Sequence, residues 1–179
     1  LSLPPANWIS FHGPLMISGF LGTLIGLERA VGLGRRWAYA VPLLTALGAA
    51  FLLAGPPDRH GDLFITLGSA GLVVVFAFTI KAQPTLFHWT MGAGASCWLA
   101  GNLLWLAGRP ISALVFWWIG LLVLTIAGER LELTRLLRPE RGARILFLSA
   151  MGLFLAGVSC TAGSVAGGQR LSGAGLLAL

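Results

Sequence analysis

The chain is short of charge. Aspartate, glutamate, lysine and arginine together make up 10% of its 179 residues, against about 25% in a soluble domain. A soluble core of this size needs a polar shell, and this sequence has none to offer. Cysteine is as scarce: Cys97 and Cys160 both fall inside apolar runs and neither sits in a CxxC pair. That excludes a disulfide framework and leaves both as small packing residues. The only lysine, Lys81, ends the third run, which rules out a retinal Schiff base in a last helix. No Walker loop, GxGxxG, HExxH or GxSxG occurs, so phosphate-cradling, metalloprotease and serine-hydrolase chemistries have no anchor. The N-terminus lacks the basic start and small-residue cleavage site of a signal peptide.

What is present is apolar length. Six runs, at 9–31, 37–55, 62–82, 86–107, 111–134 and 142–165, fill almost the whole chain. A hydrocarbon core about 30 Å thick needs roughly 20 apolar residues per helix. The run at 37–55 is near that minimum and the others reach it. With no water inside a bilayer to satisfy the backbone, each run is expected to be helical. The expected class is an all-α, polytopic transmembrane helix bundle with six complete spans and the start of a seventh at Leu171. That last run covers about nine residues, or roughly 13 Å of helix, and Leu1 is not a methionine. A single integral membrane domain over 1–179, belonging to a longer chain, is therefore expected. Mean hydropathy is +0.85. The 25 glycines suit membrane helices, where small residues let backbones approach closely.

The net charge of +6 is a topology signal. The loops after runs one, three and five hold Arg29, Arg35, Arg36, Lys81, Arg130, Arg135, Arg138, Arg141 and Arg144, and the opposite loops only Arg59, Arg109 and Arg170. The positive-inside rule puts the first set in the cytoplasm and the N-terminus outside. No basic patch with interleaved aromatics exists outside the runs, so no nucleic-acid partner is expected; the partner is the lipid bilayer, with some attraction for anionic head groups. Connections are short, with Pro56, Pro57, Pro84 and Pro110 where helices must stop or start. Trp8, Trp37, Trp89, Trp105, Trp117 and Trp118 sit near span ends, as in an aromatic belt; only Trp98 falls well inside. A weak repeat relates TLIGLERAV, at 23–31, to LTIAGERLEL, at 124–133. A parallel four-helix repeat would produce it, as would chance similarity between two helix ends. Glu28, Arg29, Glu129, Arg130 and Glu132 can form cross-helix ion pairs locking those ends together.

The densest local signal is FHGPLMISGFLGTLIGLERAV, residues 11–31. On a helix, His12, Met16, Gly19, Thr23 and Gly26 share one stripe. A neutral imidazole can ligate a haem iron, and a glycine face gives a flat macrocycle room. The same pattern suits an interfacial histidine on a helix whose glycines pack a neighbour, with Pro14 in its first turn. Both readings stand open. His88, in FHWTMGAGASCW, echoes the pattern at the opposite membrane face, too far from His12 to share a metal; His60 reads as a loop residue. Asn102, deep in run four, reads as interhelical glue.

At HGPLMISGFLG the chain resembles NnrS-type proteins and, more distantly, subunit I of haem–copper oxidases. Both carry a helix with a histidine near its outer end, then a small residue and an apolar Met-containing stretch. The resemblance covers about 20 residues well, with a general likeness through WLAGNLLWLAG and LVLTIAGERLEL. It implies a bacterial inner-membrane protein that binds haem and is linked to nitric-oxide or respiratory metabolism. His12 would be the metal and axial ligand, with Met16, Gly19 and Thr23 lining the macrocycle. The sequence departs from the oxidase pattern: the histidine lies on the first helix, and the histidine cluster for copper is missing, so copper is not expected within this stretch. No catalytic residue stands out. Two other readings remain: a non-catalytic accessory subunit packing against a larger membrane complex with lipid or pigment contacts only, and a transporter, for which Asn102 alone offers mid-membrane polarity.

Overall fold

The structure, a computed structural model, describes residues 11–54, 59–133, 141–161 and 176–177. The seventh apolar run apart from Leu176 and Leu177, together with Trp8, Pro56, Pro57 and the centre of the arginine-rich stretch, lies outside those residues. Among the described residues all regular structure is helical. Helix α1 is His12–Leu33, α2 Arg36–Ala54 and α3 His60–Ala82. Then come α4, Leu86–Leu106, α5, Val115–Leu133, and α6, Arg141–Thr161. Three of them, α1 to α3, are long and apolar enough to cross a membrane, and Ile145–Cys160 within α6 is a shorter apolar helix. Helix α5 carries Glu129, Arg130 and Glu132 in its last turns, and α4 is diluted by His88, Asn102 and three tryptophans.

The ends follow from local chemistry. Gly34 closes α1 in the left-handed region at φ 66°, its amide reaching the carbonyls of Ala30 and Val31. Gly108, at φ 79°, closes α4 in a Schellman motif: its amide bonds the Trp105 carbonyl and that of Arg109 bonds Leu104, satisfying carbonyls the helix end would orphan. Pro110 then starts a 3₁₀ turn at Ile111–Ala113. The fifth helix therefore begins at Val115, four residues later than the apolar run suggests. Pro14 falls in the first turn of α1, where its missing N–H has no partner to lose. Beyond it, Leu15–Leu21 adopts the wider π-type spacing.

Packing is set by glycine. Without a hydrophobic drive between helices in lipid, close approach and dispersion must hold the bundle. A Cβ on Gly61 of α3 would stand 2.7 Å from Leu52 of α2, and one on Gly48 of α2 would stand 2.7 Å from Ile65 of α3. The two helices thus exchange side chains for glycines in both directions. Helices α4 and α5 do the same. Gly94 faces the carbonyls of Gly120 and Leu121, Gly120 faces Cys97, and Gly101 faces Trp117 and Trp118. The main core joins α1 to α5 around Ile65, Leu72, Phe76, Met91, Trp98 and Trp118. A smaller cluster seats Phe154 and Val158 of α6 against Cys97 and Leu124.

Candidate functional site

The stripe on α1 divides. His12 is exposed and Met16 is 46% exposed, so the outer two positions face away from the bundle. Gly19 is buried, and a Cβ there would lie 2.9 Å from the Ala49 Cβ of α2. Thr23 Oγ1 lies 2.8 Å from the Thr45 hydroxyl of α2 and also reaches the Gly19 carbonyl of its own helix, while Thr45 Oγ1 lies within hydrogen-bond distance of the carbonyls of Val41 and Pro42. A Cβ on Gly26 would lie 2.9 Å from Val41 Cγ1. The neighbouring Gly22 takes the Trp98 ring, whose Cζ2 would stand 2.5 Å from an added Cβ. In this packing the glycine face is filled by α2 and α4. A macrocycle lying on it would meet Ala49, Thr45 and Trp98, so Gly19 and Thr23 do not fit a haem-lining role. His12 and Met16 remain outside that contact.

Two buried indoles hold the interior polar groups. Trp98 Nε1 donates to Ser18 Oγ at 2.9 Å; both residues are 0% exposed. The bond crosses from α4 to the π-type stretch of α1, beside the Gly22 contact. Trp118 Nε1 donates to Asn102 Oδ1 at 2.9 Å, joining α5 to α4. The amide nitrogen of Asn102 and the hydroxyl of Thr125 are buried without a hydrogen-bond partner among the described residues. Trp105 stacks edge-on against Trp118, with centroids 5.5 Å apart. Trp105 and Trp118 are thus core residues rather than members of an aromatic belt. For Trp118 an acceptor waits inside, the Asn102 carbonyl oxygen; Trp117 Nε1, by contrast, is buried with no partner among the described residues. Trp37 and Trp89, at 40% and 58% exposure, keep belt-like positions.

The two Glu-Arg pairs meet at one end of the bundle. Arg29 of α1 donates to Glu28 at 3.0 Å and to Glu129 of α5 at 2.9 Å. Its side chain is 17% exposed, against 57% for Glu28 and 41% for Glu129. Residues 100 apart in sequence are therefore tied by one guanidinium.

The other histidines serve local structure. His88 is buried, and its Nδ1 lies 2.9 Å from the Gln83 carbonyl and 3.0 Å from Thr85 Oγ1. A carbonyl can only accept, so Nδ1 carries the proton in this contact. The ring fastens the start of α4 to the α3–α4 turn. His60 opens α3 with its ring 6.1 Å from Phe51. No group of three His, Cys, Asp or Glu side chains among the described residues could hold a metal ion. Sequence reasoning missed Ser18 and Thr45, hidden in apolar runs; the signal available was a few hydroxyls scattered through each run, which periodicity alone cannot pair.

The architecture defines a class: an all-helical, apolar bundle closed by glycine contacts and a few indole and hydroxyl hydrogen bonds. The chain belongs to the family described as "Domain of unknown function (DUF8744)", whose model matches residues 1–179. No curated protein and no solved structure matches it.

Proposed function

We propose that the protein is a six-span integral membrane protein acting as a non-catalytic packing subunit of a larger membrane complex. It would sit in a bacterial inner membrane, with its arginine-rich edge cytoplasmic and its N-terminus outside. The observation that carries this reading is the filling of the α1 glycine stripe from within the chain, by Ala49, Trp98 and Val41. The interior is spent on holding helices together. The exterior is apolar, with Phe20, Leu24, Leu43, Phe51, Leu67 and Leu103 all at least 40% exposed, as lipid or a neighbouring subunit requires. The test is purification from native membranes in mild detergent. This reading expects other membrane subunits in fixed ratio and no Soret band; a monodisperse chain with no companions argues against it.

A second reading follows from the exposed ends of the same stripe. His12 and Met16, one helical turn apart and both facing outward, could hold haem on the outer side of the bundle, as the NnrS-type resemblance implies. It expects a Soret band that disappears in His12→Ala. A colourless protein after growth with excess haem precursor would end it.

A further inference from the structure

A groove of about 660 Å³ lies on the flank of α3 and α4, closed at one end by Trp117 of α5 and Leu155 of α6. Its floor is apolar: Val73, Phe76 and Ile80 on one side, Gly92 and Ala93 on the other. Lys81 is the one charged residue in its lining and the only lysine in the chain. The run from Val73 to Lys81 is roughly 12 Å of helix at 1.5 Å per residue, the length of one hydrocarbon chain segment. Lys81 is exposed in the last turn of α3, and it makes no ion pair or hydrogen bond among the described residues. Trp89, 58% exposed, stands at the same end. A second groove, about 400 Å³ between α5 and α6, repeats the arrangement. Val123, Ile126 and Phe147 line it, and Arg130 is its only charged residue.

We infer that the α3–α4 groove is a binding site for an anionic phospholipid, its acyl chain lying between Val73 and Gly92 and its phosphate on Lys81. The argument rests on the membrane reading above and adds a head-group preference to it. A groove that merely met bulk lipid would need no cation. Here each groove ends in a single basic residue that makes no ion pair among the described residues, on helices that run in the same direction through the bundle. An ammonium is a compact charge suited to a phosphate without fixed geometry, and a basic residue near the interface attracts anionic lipid.

The test is native mass spectrometry of the full chain titrated with phosphatidylglycerol and with phosphatidylcholine of identical acyl chains. The first bound phosphatidylglycerol is expected to bind about five-fold more tightly, the equivalent of one basic contact. Lys81→Gln removes that preference, and Lys81→Arg retains it. Ala77→Phe, at an exposed groove position, weakens the first binding of both lipids. Equal affinity for the two lipids in the parent chain, or a preference that survives Lys81→Gln, overturns the inference while leaving the membrane reading intact. Release of the chain from membranes by alkaline carbonate overturns both.

Discussion

Gly48 offers the sharpest test of how α2 and α3 meet. A Cβ at this position would stand 2.8 Å from the Gly61 carbonyl oxygen and 2.9 Å from the Ile65 amide nitrogen, besides 2.7 Å from Ile65 Cγ1. Two of these three atoms belong to the α3 backbone, which cannot swing aside as a side-chain tip can. A carbon–oxygen contact settles near 3.3–3.6 Å, so Gly48→Ala must part the helices by roughly 0.5 Å. The parting would loosen the reciprocal seat of Leu52 on Gly61. Overpacking costs about 1–3 kcal/mol, and a rigid far wall selects the upper end. Replacing a helical glycine by alanine returns about 1 kcal/mol. The net is a destabilisation of about 2 kcal/mol. Gly32→Ala is the control: Gly32 is exposed on α1 with nothing within 4 Å of an added Cβ. Only the propensity gain applies there, so the same substitution stabilises by up to about 1 kcal/mol. Thermal denaturation of the detergent-solubilised protein, followed by size exclusion, ranks the three proteins. A Gly48→Ala variant as heat-resistant as its parent would refute the close approach of α2 and α3.

Three further outcomes follow from the same geometry. Trp98→Phe and Ser18→Ala should each destabilise, and a double-mutant cycle on reversible unfolding should give a coupling of about 0.6 kcal/mol, the usual interhelical value in a membrane; a zero coupling removes the Trp98–Ser18 bond. Glu129→Gln should cost no more than about 1 kcal/mol, because the pair is partly solvated, and the exchange Arg29→Glu with Glu129→Arg should recover part of what Arg29→Glu alone loses. Gly108→Ala should cost about 1–2 kcal/mol through its left-handed backbone alone, since nothing lies within 4 Å of the added methyl; no change in unfolding would mean that α4 ends differently.

Much of the helical layout is legible in the sequence. The six apolar runs correspond to α1–α6, and those at 37–55, 62–82 and 86–107 match both helix ends within two residues, because length and hydropathy are local properties. The cross-helix ion pair between the Glu-Arg ends is also legible, since charges at one edge of a bundle have few partners to choose from. The occupant of the glycine stripe is not. Periodicity places Gly19, Gly22 and Gly26 on nearby faces of α1, but only the order of helices in space says that Ala49, Trp98 and Val41 fill the room. Trp105 and Trp118 mislead for a related reason. Nearness to a span end suggests an interfacial ring, yet Asn102 supplies the acceptor that lets Trp118 go inside. The late start of α5 turns on Gly108 and Pro110, whose joint effect on the backbone no apolar count registers.

The α1–α2 contact carries the account, and Thr23 and Thr45 allow it to be measured in place. Their hydroxyls are 2.8 Å apart, so Thr23→Cys with Thr45→Cys would bring two sulfurs within bonding reach. In a Cys97→Ala, Cys160→Ala background, mild oxidation of native membranes should form this disulfide rapidly and protect both thiols from maleimide. Two thiols that stay free and label fully would contradict it, and would reopen the glycine face of α1 to a bound group.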